Sequence, residues 1–183
     1  MAALKEWSVV CKALEEGRQI LLLRKGGIME YRQGFELKHN KFLLFPTFEH
    51  QSKEFIQPDY VNNLDSILQN APIKGKNKIT SYAQVSEVKE VYDRSILQRL
   101  GKYHIWNDLY INTRMDYNPK RPMSVVLLRV YKMTNPIELD LRPEWSGCKS
   151  WIPIEFPAIN NQEPVLDNFK FAQITDELKE ILN

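Results

Sequence analysis

Between Ile20 and Gln51, two apolar runs enclose a polar segment dense in groups that bind anions or move protons. Arg24, Lys25, Gly26, Gly27, Glu30 and Arg32 follow the run Ile20 to Leu23, and His39, Glu49 and His50 flank the run Phe42 to Phe45. Two chemistries are open to such a set. A strand ending in Arg24 and Lys25 with paired glycines beyond it exposes cations and backbone N–H groups together, an arrangement suited to phosphate. Glu30 with His50 supplies the carboxylate and imidazole needed for acid–base work near neutral pH. Glu36 and Lys38 match the Glu-x-Lys half of a metal-dependent nuclease site, but the solvent face of an alternating strand produces the same three-residue pattern.

Other chemistry finds little footing. His39 and His50 lie eleven positions apart, His104 is remote, and no His-x-x-x-His or paired-cysteine spacing occurs, so no metal is expected. Gly26-Gly27 completes neither the phosphate-loop frame nor the dinucleotide frame, so no cofactor is expected either. Cys11 reads as core packing, and Cys148 follows Gly147 between two tryptophans without a clear basic partner to activate it.

Nucleic acid is the ligand class that composition leaves open. From Gly75 to Lys132 there are eleven Lys or Arg against five Asp or Glu, whereas Met133 to Asn183 holds four against nine. A basic middle of this kind suits a nucleic-acid surface, and it equally suits pairing with the acidic tail. Trp106, Trp145 and Trp151 sit in segments without regular pattern, where an exposed indole would stack a base for about 1–3 kcal/mol. Packing of the C-terminal wrap accounts for the same residues as well.

These residues need elements to hold them. Leu4, Trp7, Val10, Cys11 and Leu14 recur at helical spacing up to Gly17, predicting an amphipathic helix over Leu4 to Glu16. Strands are predicted at Ile20 to Arg24, around Phe35 and Leu37, and at Phe42 to Phe45, stopped by Pro46. A short helix follows, capped by Asp59 or Asn62 and carrying Leu64, Ile67 and Leu68. Alternation from Ile79 to Val91 predicts a long, bent strand, and Ile96 to Leu100 a short helix stopped by Gly101. Ile111 to Arg114 reads as a short strand. Ser124 to Lys132 reads as the central strand, with Pro136 to Leu139 continuing the sheet, and Thr175 caps a final helix.

At 183 residues, with 43% hydrophobic and 26% charged residues, the chain has the composition of one ordinary domain spanning 1–183. No apolar run approaches the roughly 20 residues of a membrane span, and charges interrupt the N-terminus where a secretory signal would be apolar. The expectation is a soluble, cytoplasmic protein with no membrane contact. Composition leaves its oligomeric state undefined.

Leu4-Lys-Glu-Trp7, Leu21-Leu-Leu-Arg-Lys-Gly-Gly-Ile28, Phe42-Leu-Leu-Phe-Pro-Thr47 and Glu49-His50-Gln51 together resemble a bacterial family, common in cyanobacteria and bacilli, known as a domain of unknown function. That resemblance implies no activity. The order of helix, glycine, strand ending in arginine, long strand, short helix and strand into Asn135-Pro136-Ile137 is similar to PUA-like domains of the ASCH and EVE type. These are small pseudo-barrels that often bind RNA or modified bases. Gly17 and Arg24 match the outer positions of the ASCH pattern Gly-x-Lys-x-x-Glu-x-Arg, while Gln19 and Leu22 stand where that pattern has Lys and Glu. The resemblance therefore implies the barrel and its binding role more than the amidohydrolase or nuclease chemistry.

The expected fold is α+β, a mixed, mostly antiparallel curved sheet or PUA-like pseudo-barrel flanked by N-terminal and C-terminal helices. The expected function is binding of RNA, DNA or a modified base. Arg24, Lys25, Gly26, Gly27, Arg32 and Arg114 would meet phosphate, and Trp106 or Trp151 would stack. A hydrolase using Glu30 and His50 and a protein-interaction module are the alternatives.

Overall fold

The computed structural model describes residues 1–25, 37–147, 149–155 and 163–183. The fold is α+β, built on one six-stranded mixed sheet of order β2-β5-β4-β3-β1-β6. Its strands are β1 (Ala2–Trp7), β2 (Leu21–Arg24), β3 (Lys41–Thr47), β4 (Lys76–Val91), β5 (Met123–Asp140) and β6 (Trp151–Pro153). The helices are α1 (Ser8–Glu15), α2 (Pro58–Gln69), α3 (Arg94–Arg99), α4 (Asp108–Asp116) and α5 (Asn168–Leu182). β1 runs parallel to β3, and every other neighbouring pair is antiparallel.

β4 and β5 form the backbone of the sheet. Drawn straight, the 16 residues of β4 would reach roughly 50 Å at about 3.3 Å per residue, too far for a domain of this size. Register shifts between Ile79 and Ser81 and between Val85 and Glu87 bend the pair, as bulges do. Leu4, Phe42 and Leu44 pack on one face with α1, Leu97 and Val125–Leu128, and Ala3, Leu43 and Phe45 pack on the other with Tyr82, Trp145 and Ile152. Strict alternation along β1 and β3 therefore feeds two cores at once.

The N-terminus departs from the expected helix over Leu4 to Glu16. Ala2–Trp7 is a strand, and α1 begins at Ser8. Leu4 and Trp7 fit helical spacing by coincidence, and the ladders to β3 and β6, both remote in sequence, override local preference. α1 buries Val9, Val10, Cys11, Ala13 and Leu14, and Gln51 Oε1 accepts from Val9 N at 3.3 Å at the start of the helix. Pro46 does not stop β3, which continues to Thr47 beside Glu6 and Trp7 of β1. Ile111 to Arg114 lies within α4 and not in a strand, because Asn107 caps that helix through Tyr110 N and Ile111 and Met115 share its buried face. Asp167, not Thr175, caps α5, accepting from Lys170 N at 2.8 Å. The strand expected at Phe35 falls mostly outside the described residues.

Candidate nucleic-acid interface

The sheet curls until its two ends approach without pairing. β2 is one edge, and short β6, beside β1, is the other. Arg24, last residue of β2, crosses this seam, placing Nη1 2.9 Å from Glu6 Oε2 and Nη2 2.6 Å from Ser150 Oγ. Glu6 is 7% exposed, and its other oxygen accepts from Trp7 N at 2.9 Å. A buried carboxylate held this way is a fixed acceptor in a low-dielectric setting.

A cleft of about 290 Å³ opens over this seam, near the lower end of small-molecule sites. Lys5, Arg24 and Arg114 bring three cations to it, Glu6 one carboxylate, and Trp7, Phe55, Trp106 and Tyr110 its aromatic wall. Trp106 and Tyr110 stack at 3.8 Å with planes 9° apart, while Trp7 meets Trp106 edge-on at 4.9 Å. The Tyr110 hydroxyl is pushed above its ordinary range by burial first; Arg114 opposes this shift, Glu6 adds to it and Arg24 opposes it.

The wall depends on how residues 101–107 are held. Gln57 Nε2 donates toward the carbonyls of Gly101, His104 and Trp106 at 2.7, 2.8 and 3.1 Å, and Gln57 N donates to Ile105 O at 2.8 Å. Ile105 N donates to Gln19 Oε1 at 3.1 Å. Gln19 is thus a buried brace, and Leu22 is core, at the two positions where the ASCH pattern has Lys and Glu.

The structure brings Arg24, Arg114 and Trp106 to the cleft and places Lys25, Trp151 and His50 outside its lining. Lys25 is buried, with Nζ 2.8 Å from Met115 O, and its pKa is lowered by burial and then by Arg114, against the pull of Asp116. Trp106 backs the wall at 3% exposure, so it supports a stacking surface without presenting a face of its own. Trp151 packs edge-on to Phe42 and His39 at 5.1 Å on a different hollow. His50 is exposed with φ 59°, outside the cleft lining. Gly26, Gly27, Glu30, Arg32, Glu36 and Cys148 lie outside the described residues. The sequence does not single out Lys5, Glu6, Trp7 or Tyr110 as site residues, although two adjacent charges, Lys5 and Glu6, between apolar Leu4 and Trp7 signal that β1 carries more than core.

A family model described as Domain of unknown function (DUF1802) matches residues 3–177. The chain belongs to this family. The DUF1802 match runs from β1 into α5 and takes in every residue of the cleft. None of the curated proteins matches the chain. Among solved structures, the crystal structure of ASCH from Zymomonas mobilis is similar at 15% identity and a TM-score of 0.48, covering 84% of this chain and 87% of that one. A serine-to-alanine variant of the Zymomonas mobilis protein is similar at 14% identity and the same TM-score, covering 97% and 94%.

The charge asymmetry has a second outcome. Lys76 pairs with Asp140 at 2.7 Å, Lys78 with Glu138 at 3.8 Å and Lys102 with Glu177 at 3.3 Å, so part of the basic middle is spent on the acidic tail. Among the described residues, no three His, Cys, Asp or Glu gather as a metal site, and no helix is long and apolar enough to cross a membrane.

Proposed function

We propose that this DUF1802 protein binds single-stranded nucleic acid, taking one base into the seam cleft. The observation that carries the reading is the convergence of Arg24, Arg114 and Lys5 with the buried Glu6 carboxylate beside a stacked aromatic wall. A base needs a flat apolar surface for its ring and fixed donors and acceptors for its edge. Trp7 and the Trp106–Tyr110 stack supply the first; the Arg24–Glu6 pair supplies the second. Arg114 and Lys5 at the wall favour the phosphate beside that base.

The resemblance to PUA-like domains is in keeping with this reading. Photo-cross-linking tests it. Single-stranded RNA and DNA carrying 4-thiouridine or 4-thiothymidine are irradiated with the protein, and the modified peptides are identified by mass spectrometry. Cross-links concentrated on peptides containing Trp7 or Tyr110 are the expected result. Cross-links spread over unrelated surfaces would refute the site.

A further inference from the structure

A second hollow, of about 190 Å³, lies beside the seam cleft and shares Lys5 and Thr47 with it. The two are not separate features of the surface. β1 and β3 run parallel, so their C-terminal ends, Lys5–Trp7 and Pro46–Thr47, emerge together and form a common ridge between the hollows. The Lys5 ammonium sits on that ridge and donates to the carbonyls of Trp145 and Gly147, each at 2.8 Å.

The far wall of the second hollow is a guanidinium on an indole. Arg142 lies over the Trp145 ring with its carbon 5.3 Å from the centroid, its Nη1 is 4.0 Å from Glu144 Oε1 on one edge, and its side chain is 54% exposed. Trp145 itself is buried against Phe45, edge-on at 6.0 Å. The exposed guanidinium of Arg142 is thus backed by a buried ring. Phe48, half-buried, lines the same hollow. A backed guanidinium and an aromatic side chain make a surface on which a second base can stack, and neither reads base identity.

We infer that the ligand is a single strand of at least two nucleotides that crosses the ends of β1 and β3, its first base in the seam cleft and its neighbour against Arg142, with Lys5 at the phosphate between them. This rests on the nucleic-acid reading of the seam cleft and makes its ligand an oligonucleotide and not a free nucleotide. Continuity through Lys5 and Thr47 supports one strand over two independent ligands, because a linked second base binds at high effective concentration.

Titration calorimetry with AMP, CMP, GMP and UMP, then with mixed-sequence dinucleotides and hexanucleotides, tests the inference on the full chain. Affinity is expected to rise at least tenfold from mononucleotide to oligonucleotide. Arg142→Ala is expected to remove most of that gain while leaving mononucleotide affinity unchanged, and Arg142→Lys, which keeps the charge but loses the plane, to restore little of it. Equal affinity for all lengths, or an Arg142→Ala variant that keeps the length gain or weakens every probe alike, would overturn the two-base track and leave the seam cleft standing. Absence of binding to every probe would overturn the nucleic-acid reading itself, and this inference with it.

Discussion

Arg24 and Glu6 join two strands that share no backbone hydrogen bond among the described residues, through an ion pair of 2.9 Å across the seam of the sheet. The side chains are 17% and 7% exposed, so the pair sits where removing one member strands the other. Arg24→Leu should therefore cost about 3 kcal/mol of stability, by urea denaturation. The double change Arg24→Leu with Glu6→Leu should recover much of the loss, since apolar replacement of a buried pair is often close to neutral. Additive losses in the two single variants and the double would show that the pair does not act as a unit.

His104 gives the protein an acid-sensitive element. It is 1% exposed, and burial lowers its pKa to about 4, with the backbone of Leu97 and Trp106 opposing the shift. The folded value lies below the ordinary value of about 6.5, so the unfolded chain takes the proton first. Stability is complete above about pH 6.5 and falls as pH drops toward 4, by on the order of 3 kcal/mol from this residue. Denaturation curves at pH 7.5, 5.5 and 4.5 should show a smaller decline in His104→Gln than in the wild type. Parallel declines would assign the acid sensitivity to other groups.

Gln57 ties the aromatic wall to the scaffold. Replacing it by Leu leaves carbonyls of Gly101, His104 and Trp106 without their shared donor and should cost about 2 kcal/mol. Because Trp106 backs Tyr110, the same change should weaken oligonucleotide binding more than Ala substitution of the exposed Lys53 does. Equal binding in both variants would separate the wall from the site.

Gly17 holds the turn after α1 with φ +68°, and a Cβ there would stand 2.6 Å from Leu166 Cδ2. Gly17→Ala should cost about 2 kcal/mol, combining left-handed backbone strain with the clash. A melting temperature within one degree of wild type would contradict that packing.

Some of this was legible in the sequence and some was not, for identifiable reasons. The bent strand from Ile79 to Val91 was readable because two-residue alternation kept up over that length suits a half-buried strand and no helix, and the strand from Ser124 because its apolar run is rich in β-branched residues. β1 was not, since its strand character comes from ladders to residues near 43 and 152, and a sequence window sees neither. α4 was missed because its apolar stripe is narrow, with Ile111 and Met115 its buried residues. For the site, Arg24 was readable as a charge ending an apolar run. Its partner Glu6 was not, because pairing across the seam depends on how far the sheet curls. Trp106 was visible as an aromatic outside any pattern, but only the stack with Tyr110 shows that it supports the cleft wall instead of presenting its own face.

Equilibrium binding of a fluorescein-labelled mixed-sequence single-stranded RNA decides whether the seam cleft holds nucleic acid. Wild type and Arg114→Ala would be titrated at 50 and 200 mM salt, with melting curves as a check on folding. Wild-type affinity should fall with salt, by a log–log slope of about −0.7 per phosphate engaged, and Arg114→Ala should bind at least tenfold more weakly with a shallower slope. No wild-type binding at 50 mM salt, or equal affinity and slope in the folded variant, would contradict nucleic-acid binding in the seam cleft.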